Sequence, residues 1–286
     1  MRVQQFPAPG EKVSASDFIV TGGGCAANAA VAVARLKGRT AFAGPLGDMG
    51  DAVSNRIVTD LEAEGIDCGH VVRVNGATAS VSLILLDAQG EKSIATRRGK
   101  GLNDALPADP ATLAADADAV LIDNRFPDFA MAVCKPAQAR GIPIVIDLDQ
   151  TTKLDHLLLA LGTHVIASSE AFYGTTGTRD FAAGLDMLAV HNKGFLAVTD
   201  GPNGVYWRED GALRHMPAFT VDAVDTLGAG DAFHGAFALA IAEGRDLLSA
   251  MRFSCATAGL KCTRFGGAAG APARDEVEAF LRERTG

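Results

Sequence analysis

The residues of this chain that could do chemistry are concentrated in the segment VDTLGAGDAFHGAF, residues 224–237. The turn GAG at residues 228–230 has no bulky side chain, so its backbone N–H groups can come close to an anion. The apolar residues that follow recur every four positions: Phe233, Phe237 and Ile241. That spacing predicts a helix over residues 231–243. Because the first N–H groups of a helix lack intrahelical partners, the segment predicts a phosphate site.

Asp231 is the acid inside this predicted phosphate site. A carboxylate beside a phosphate weakens binding through like-charge repulsion, unless the reaction uses it. Phosphoryl transfer does use one, because an acid accepts the proton of the attacking hydroxyl while amides and Mg²⁺ stabilise the moving group. We therefore predict that Asp231 is a general base, with a pKa lowered by the helix N-terminus. Taken alone, Asp231 is equally well explained as an ordinary first-turn acid.

Composition limits the other functions of the chain. Its 286 residues suit one large α/β domain or two small ones. Its net charge is -8. The absence of a dense Lys/Arg run argues against nucleic acid as a partner. No apolar run approaches the roughly 20 residues of a membrane span, and the N-terminus lacks the apolar core of a secretory signal. We therefore expect a cytoplasmic protein. The five cysteines are not at metal-ligand spacing.

Short apolar runs alternate with amphipathic segments from residue 119 onward. Buried strands are predicted over residues 119–123, 144–147, 164–167 and 195–199. Helices are predicted over residues 26–36, 50–64, 127–140 and 179–191. This alternation predicts a mostly parallel sheet with helices on both faces. Residues 71–96 break the alternation, and turns at residues 75–76 and 88–90 predict β-hairpins that form a small antiparallel lid.

The motif DTLGAGD, residues 225–231, is similar to the second signature of the ribokinase-like (PfkB) carbohydrate kinases. GGGCAANAAVAVARLKG, residues 22–38, resembles the first signature, and KCTRFGGAAGAP, residues 261–272, resembles the loop beside the nucleotide. The resemblance covers essentially the whole chain. It implies a three-layer α/β/α fold and ATP-dependent phosphorylation of a sugar hydroxyl, with Mg²⁺ and, in many members, a monovalent cation such as K⁺.

The resemblance also implies a division of the chain and roles for individual residues. Residues 20–68 and 99–286 would form the nucleotide- and sugar-binding domain, and residues 1–19 and 69–98 the β-lid. The catalytic group would be Asp231 with Gly228, Ala229 and Gly230 as the anion hole. Sugar hydroxyls would be held by Gly23, Gly24 and Asn28. The nucleotide would be lined by Thr199, Gly201, Gly204, Asp225, Thr226, Gly266 and Gly267.

Asn28 and Asp225 have further expected properties. Asn28 suits a sugar because its amide both donates and accepts hydrogen bonds, although a helix-start cap is the alternative explanation. Asp225 would also lie near the monovalent cation. The lid implies a homodimer, because exposed lid sheets can pair edge to edge.

The chain departs from the family pattern in two places. After the predicted strand 164–167 it has Ser168, Ser169 and Glu170 where the family carries N-x-x-E, which leaves Glu170 as the candidate metal ligand. FPAPGE, residues 6–11, resembles a motif that follows a strand ending in a sugar-binding Asp, but only five residues precede it. We therefore expect that strand and that Asp to be missing upstream of Met1, through a misplaced start codon or a genuine truncation.

The sugar is not decided by the sequence. Residues 224–237 and 251–264 are similar to ketose kinases, namely ketohexokinase and bacterial sulfofructose kinase. Lys12 and Arg125 fall where such enzymes present positive charge, although a solvated lysine and an arginine at a strand end explain them as well. The predicted substrate is a fructose-like ketose with or without an anionic tail. Ribose, 2-keto-3-deoxygluconate and a nucleoside are the alternatives.

Two other classes of protein compete with the kinase. A non-catalytic sugar or nucleotide sensor of the same fold is favoured by the missing strand and the absent N-x-x-E. A nicotinamide-dependent dehydrogenase built on GGGCAA, residues 22–27, fits poorly, because the run lacks G-x-G-x-x-G and the helix predicted over residues 26–36 is not preceded by a clear parallel strand with an acid about 20 residues on.

Overall fold

A computed structural model describes residues 1–284 of the chain. Its strands are β1 Arg2–Val3, β2 Ala15–Asp17, β3 Ala41–Leu46, β4 Asp67–Arg73, β5 Val81–Leu86, β6 Lys92–Arg97, β7 Val120–Asp123, β8 Ile144–Leu148, β9 His164–Ser168, β10 Phe195–Thr199, β11 Val205–Glu209 and β12 Ala212–Met216. Its α-helices are α1 Cys25–Arg35, α2 Ala52–Ala63, α3 Pro110–Leu113, α4 Pro127–Ala139, α5 Leu157–Leu161, α6 Ser169–Thr176, α7 Phe181–His191, α8 Ala229–Ala242, α9 Leu247–Cys262 and α10 Arg274–Arg282.

The central sheet has six strands in the order β12-β11-β10-β9-β8-β7. β7 to β10 run parallel, and β11 and β12 extend the sheet in antiparallel pairing. The four parallel strands coincide within one residue with the predicted apolar runs, and the five predicted helices, α1, α2, α4, α7 and α8, lie within two residues of their predicted limits. The prediction of a mostly parallel sheet is therefore confirmed.

Side chains of the central strands alternate between two hydrophobic clusters, as the period of a strand requires. Ile144, Ile146 and Leu148 pack with buried residues of α4, α5, α6 and α7. Val145, between them in β8, packs instead with α8 and α9 on the other face, together with Ile166 of β9. Helices thus cover both faces of the sheet, which confirms the three-layer architecture.

A second sheet has four strands in the order β2-β1-β5-β6. β5 and β6 form the predicted antiparallel hairpin, closed at its turn by a hydrogen bond from the Gly90 N–H to the Asp87 carbonyl (3.2 Å). Arg2–Val3 lies parallel to β5 and antiparallel to β2, and Val3 is buried. β1 thus lies before Phe6, where the sequence analysis predicted no strand. The five residues before Phe6 contain no Asp.

The predicted hairpin at residues 75–76 is wrong. β4 pairs in parallel with β3, and not with β5. The cause lies in two carboxylates near the start of α2, because Asp48 accepts the Gly76 N–H (2.9 Å) and Asp51 accepts the Ala79 N–H (2.9 Å). These bonds hold the segment after the turn against α2. The limits of the lid, residues 1–19 and 69–98, stay a prediction.

Within residues 1–284, no helix is both long and apolar enough to cross a membrane.

Candidate active site

The predicted phosphate site lies at the N-terminus of α8. Gly228 is the residue before the helix and has a left-handed backbone (φ +77), which favours glycine. Ala229 and Gly230 are the first two helical residues, and Asp231 lies in the first turn. The first-turn N–H groups have no partner four residues back in the helix. The arrangement is therefore suited to a phosphate oxygen.

Asp231 is held by Asn28 of α1. The Asn28 side-chain amide donates to Asp231 Oδ2 at 2.6 Å. This bond requires α1 and α8 to lie close together, and Gly235 allows it: a Cβ added there would lie 2.5 Å from the Ala29 carbonyl oxygen. The two glycines assigned to sugar binding precede α1. Gly24 is its N-terminal cap (φ +104), and Gly23 is exposed.

Three further aspartates surround this pair, and the sequence analysis did not identify them. Asp123 ends β7, Asp147 lies in β8, and Asp149 follows β8. Ligands of open α/β sheets bind beyond the carboxyl ends of parallel strands. An Asp at the end of each of two predicted parallel strands, in LID and IVIDLD, was the signal that would have found them.

Asp123 and Asp149 join the amino end of α1 to these strands. Asp123 accepts hydrogen bonds from the backbone N–H groups of Ala26 (3.2 Å) and Arg125 (2.9 Å). The Cys25 thiol donates to Asp149 Oδ2 (3.5 Å). The Cys25 sulfur and carboxylate oxygens of Asp147 and Asp231 lie within 4.8 Å of one another.

Burial and mutual repulsion shift the titration of these acids. Burial, with the charge of Asp149 added, raises the pKa of Asp231 from 3.8 to about 6 against the opposing hydrogen bond from Asn28. Burial likewise raises the pKa of Asp123 to about 6. Burial and the nearby charge of Asp231 raise the pKa of Asp147 well above its ordinary value. The prediction that the helix N-terminus lowers the pKa of Asp231 is therefore wrong, because loss of water outweighs the helix dipole.

His234 lies behind the site on α8 and is 2% exposed. Its ring nitrogens contact the carbonyl oxygens of Gly230 (2.8 Å) and Ile166 (3.3 Å), and Nδ1 lies 3.5 Å from Asp147. These contacts tie the first turn of α8 to β9. His234 is therefore a packed helix residue.

Asp225 connects two loops on the nucleotide side of the predicted anion hole. Its carboxylate accepts hydrogen bonds from the backbone N–H groups of Leu227 (2.8 Å), Gly266 (2.9 Å) and Gly267 (3.2 Å). Burial opposes the ionisation of Asp225, but these bonds and the nearby Lys261 outweigh it and lower its pKa. The segment 266–270 thereby packs against Gly228, where an added Cβ would lie 3.6 Å from the backbone of residues 267 and 268.

The other predicted nucleotide residues lie at the carboxyl end of β10. Thr199 is its last residue, and its hydroxyl donates to the Ala167 carbonyl (3.3 Å). Gly201 (φ +50) begins a 3₁₀ turn that ends before Gly204 (φ +97). A Cβ on Gly204 would lie 2.1 Å from the Met216 carbonyl oxygen, so this position requires glycine. The local geometry explains these glycines whether or not ATP binds.

A cleft of about 1790 Å³ contains much of the predicted site. Its lining within residues 1–284 includes the predicted residues Gly23, Gly24, Asn28, Arg125, Asp225, Asp231, Gly266 and Gly267, together with Asp123 and Asp149. It also includes residues of β5 and β6 in the second sheet, among them residues 81–84 of β5. The chain therefore brings the sugar residues, the base and one nucleotide loop to a common cavity.

Nine predicted residues lie outside the lining of this cleft, as far as residues 1–284 define it: Lys12, Glu170, Thr199, Gly201, Gly204, Thr226, Gly228, Ala229 and Gly230. Lys12 is exposed in the loop between β1 and β2, Glu170 is exposed in the first turn of α6, and Thr226 is exposed between Asp225 and Leu227. Arg125 does line the cleft, and its guanidinium contacts the side-chain amide oxygen of Gln150 (2.6 Å from Nη2). Of the two positively charged side chains predicted to contact the substrate, Lys12 and Arg125, only Arg125 thus lies at the cavity.

Comparison with known proteins decides the family. The family model described as pfkB family carbohydrate kinase matches residues 1–274. The chain belongs to this family. Ribokinase from Bacillus subtilis is 31% identical over 280 residues, which cover 96% of this chain and 92% of that protein.

Solved structures agree with this membership. The crystal structure of a candidate ribokinase from Agrobacterium tumefaciens has a TM-score of 0.93 and 37% identity, and the match covers 99% of this chain and 93% of that one. Arabidopsis thaliana ribokinase complexed with ribose and ATP has a TM-score of 0.83 and 27% identity, over 98% and 94% of the chains. The ribokinase-like fold is confirmed, and this pfkB family member is an ATP-dependent sugar kinase.

Proposed function

We propose that this kinase transfers the γ-phosphoryl group of ATP to a primary hydroxyl of a neutral free sugar, with ribose as the first candidate. The relatives support ribose: a ribokinase is 31% identical along nearly the whole chain, and a ribokinase with ribose and ATP bound shares the fold. The observation that carries the proposal is the Asn28–Asp231 hydrogen bond at the N-terminus of α8. It fixes a base beside a helix end that suits a phosphate.

The acids around Asp231 support a neutral substrate. Asp123, Asp149 and Asp231 all line the cleft, with Asp147 buried beneath them. Carboxylates accept hydrogen bonds from sugar hydroxyls, but they repel a sulfonate, a phosphate or another carboxylate. A polyol without its own charge therefore suits this end of the cavity best.

In the proposed reaction, Asp231 accepts the proton of the attacking hydroxyl. Asn28 keeps the carboxylate in one position by donating to Oδ2, and Oδ1 is proposed to accept the proton. The amides of Gly228, Ala229 and Gly230 are proposed to stabilise the charge on the transferred group, although the Ala229 N–H also donates to the Thr226 carbonyl (3.2 Å). The second sheet lines one side of the cleft and is proposed to limit the access of water to the reacting groups.

The nucleotide is proposed to lie along Asp225, Thr226 and the Gly266-Gly267 loop, with its phosphates towards Thr199, Gly201 and Gly204. Mg²⁺ is proposed to enter with ATP, and when bound it neutralises phosphate charge. Asp149 lines the cleft whereas Glu170 lies outside its lining, so Asp149 is better placed to act on a metal-bearing nucleotide. A homodimer formed through the lid, and a cytoplasmic location, remain part of the proposal.

A substrate panel tests the choice of sugar. We expect ADP release with Mg-ATP to be fastest with ribose, and kcat/KM to be lower for fructose, sulfofructose, 2-keto-3-deoxygluconate and inosine. Each hydrogen bond that a wrong sugar leaves unpaired costs about 1–3 kcal/mol, which corresponds to roughly 5- to 150-fold in kcat/KM. A higher kcat/KM with any charged sugar would contradict the proposal of a neutral substrate.

A ketose with an anionic tail is the second candidate, because Arg125 lines the cleft. Arginine binds sulfonate, phosphate and carboxylate through paired hydrogen bonds. The variant Arg125→Gln distinguishes the two candidates. If the natural sugar is neutral, Arg125→Gln changes kcat/KM for ribose by no more than a few-fold, whereas with an anionic sugar it raises KM by about tenfold or more. This test therefore also decides whether the chain has the ketose specificity that its resemblance to ketohexokinase and sulfofructose kinase predicts.

The pKa of Asp231 predicts the acid limb of the pH profile. A base must be deprotonated, so kcat/KM should fall by about tenfold per pH unit below a midpoint near 6, the value to which burial raises its pKa. The same upward shift means that ionising Asp231 costs folding stability as the pH rises from about 4 to about 6. The profile of kcat/KM against pH, measured at fixed ionic strength, checks the midpoint.

The variant Asn28→Leu tests whether that midpoint belongs to Asp231. Asp123 has a similar pKa, but Asn28 donates to Asp231, where its hydrogen bond lowers the pKa. Removing the donor should therefore move the midpoint upward. A midpoint that stays in place in Asn28→Leu would assign the titration to another group and contradict Asp231 as the base.

A further inference from the structure

Lys261 is a fully buried lysine that the proposed reaction does not use. It lies in the last turn of α9 and has 0% exposure. Its ammonium donates to the main-chain carbonyl of Asp225 (2.6 Å) and lies 3.6 Å from Asp225 Oδ2. An isolated charge in a protein interior is strongly unfavourable, so a lysine is buried as an ammonium only where a paired charge and hydrogen bonds compensate it.

The partner of this ammonium is the carboxylate that joins the two loops of the nucleotide side. Asp225 accepts the N–H groups of Leu227, Gly266 and Gly267, and all of these donors are neutral. The Cys262 carbonyl accepts N–H groups from Val224 (2.7 Å) and Asp225 (3.0 Å), so the C-terminal end of α9 lies against the same segment. The negative end of a helix dipole there favours a cation further.

The positive charge beside the Asp225 carboxylate therefore comes from a side chain of the protein, Lys261. The aliphatic part of the Lys261 side chain also packs against the loop of residues 266–270, because a Cβ added to Gly270 would be 3.5 Å from Lys261 Cε. Burial lowers the pKa of Lys261, but the Asp225 charge opposes that shift. A monovalent cation bound to Asp225 would lie beside this buried ammonium and be repelled by it. The residues present thus do not fit the K⁺ site that the family resemblance implies.

We propose that the Lys261 ammonium is the resident counter-charge of Asp225, so that this kinase holds its anion-hole and nucleotide loops without a bound monovalent cation. Lys261 is a positioning residue: it acts through Asp225 on the Gly266-Gly267 loop and on the turn at Gly228. The kinetic part of the test depends on the proposed function, because it needs an accepted sugar. The thermal part does not.

The first test compares the natural chain in K⁺, Na⁺ and N-methylglucamine chlorides at equal ionic strength, so that general screening is the same. We expect kcat and KM for ATP to agree within about twofold among the three salts. We also expect the melting temperature to be the same in K⁺ as in N-methylglucamine, because a cation that binds only the folded state would raise it. A several-fold activation by K⁺, or a K⁺-specific rise in melting temperature, would overturn the proposal.

The second test removes the ammonium and offers a replacement. Lys261→Ser leaves space and a hydroxyl oxygen beside Asp225, whereas Lys261→Met fills the space with an apolar side chain. We expect both variants to lose about tenfold or more in kcat/KM for ATP in N-methylglucamine, and K⁺ to restore activity and melting temperature only in Lys261→Ser. Lys37→Ser, which removes an exposed lysine paired with Asp275, is the matched control and should not respond to K⁺.

The outcomes of the second test are distinct. Natural activity of Lys261→Met in N-methylglucamine would show that the buried charge is not needed, and would overturn the proposal. If the Ser variant is unfolded in N-methylglucamine but folds in K⁺, the cation replaces the ammonium and the proposal is supported. If neither variant folds in any salt, the salt comparison of the natural chain decides. If no sugar of the panel is phosphorylated, the proposed function fails while the thermal comparison still decides this inference.

Discussion

The Asp231→Asn variant is expected to lose roughly 10²- to 10⁴-fold in kcat, the usual contribution of a general base, with little change in affinity for ATP. The amide cannot accept the proton of the sugar hydroxyl, but its size matches that of the carboxylate. Its oxygen can still accept the Asn28 amide, which donates at 2.6 Å in the natural chain. Geometry is therefore conserved and only the proton acceptor is lost. Single-turnover rates with the best sugar, and ATP affinity by calorimetry, measure the two effects separately.

The same variant should not be less stable than the natural chain. Burial and neighbouring acids raise the pKa of Asp231, so its ionised form destabilises the folded state at neutral pH. Neutralising it should leave the melting temperature unchanged or higher. Asp275→Asn, which alters an exposed acid paired with Lys37, is the control and should keep natural turnover. If Asp231→Asn retained turnover within a few-fold of the natural chain, Asp231 would not be the base.

The parts of the fold that the sequence predicted well are those decided by local periodicity. The continuous apolar runs of β7 to β10 and the four-residue spacing in α8 have one interpretation each, and the structure confirms them. The hairpin at residues 75–76 failed because a turn motif specifies a change of direction and not a partner. β4 pairs with β3, and the carboxylates of Asp48 and Asp51, 28 residues before their donors, hold the segment after the turn away from a hairpin with β4.

The candidate site was predicted unevenly for a related reason. Asp231 and Asn28 were found because each lies in a contiguous motif, and the structure brings them into contact across 203 residues of chain. Asp147 was missed although it ends a predicted strand, and Lys261 was missed although it begins the motif at residues 261–272. Their significance comes from burial, which a sequence does not display. The pKa of Asp231 was mispredicted for the same reason, because the helix dipole is visible in the sequence and the loss of water is not.

The glycine at residue 235 carries the second large expected effect. Gly235 and Gly259 are both inside helices, α8 and α9, and alanine at either position gains about 1 kcal/mol of helix propensity. The surroundings differ. A Cβ at residue 259 would meet its nearest neighbour, a Val221 methyl group, at 3.6 Å, an ordinary contact, whereas a Cβ at residue 235 would lie 2.5 Å from the Ala29 carbonyl oxygen. Gly259→Ala should therefore be neutral or stabilising.

Gly235→Ala should instead force α1 away from α8. Overpacking of this kind costs about 1–3 kcal/mol, so the free energy of unfolding should fall, in the opposite direction to Gly259→Ala. The movement also separates Asn28 from Asp231, and a displacement near 1 Å costs about 10²-fold in rate. Chemical denaturation and kcat, measured on both variants at a temperature where both are folded, check the pair. Equal stability and equal turnover of the two variants would show that the contact between α1 and α8 does not position the base.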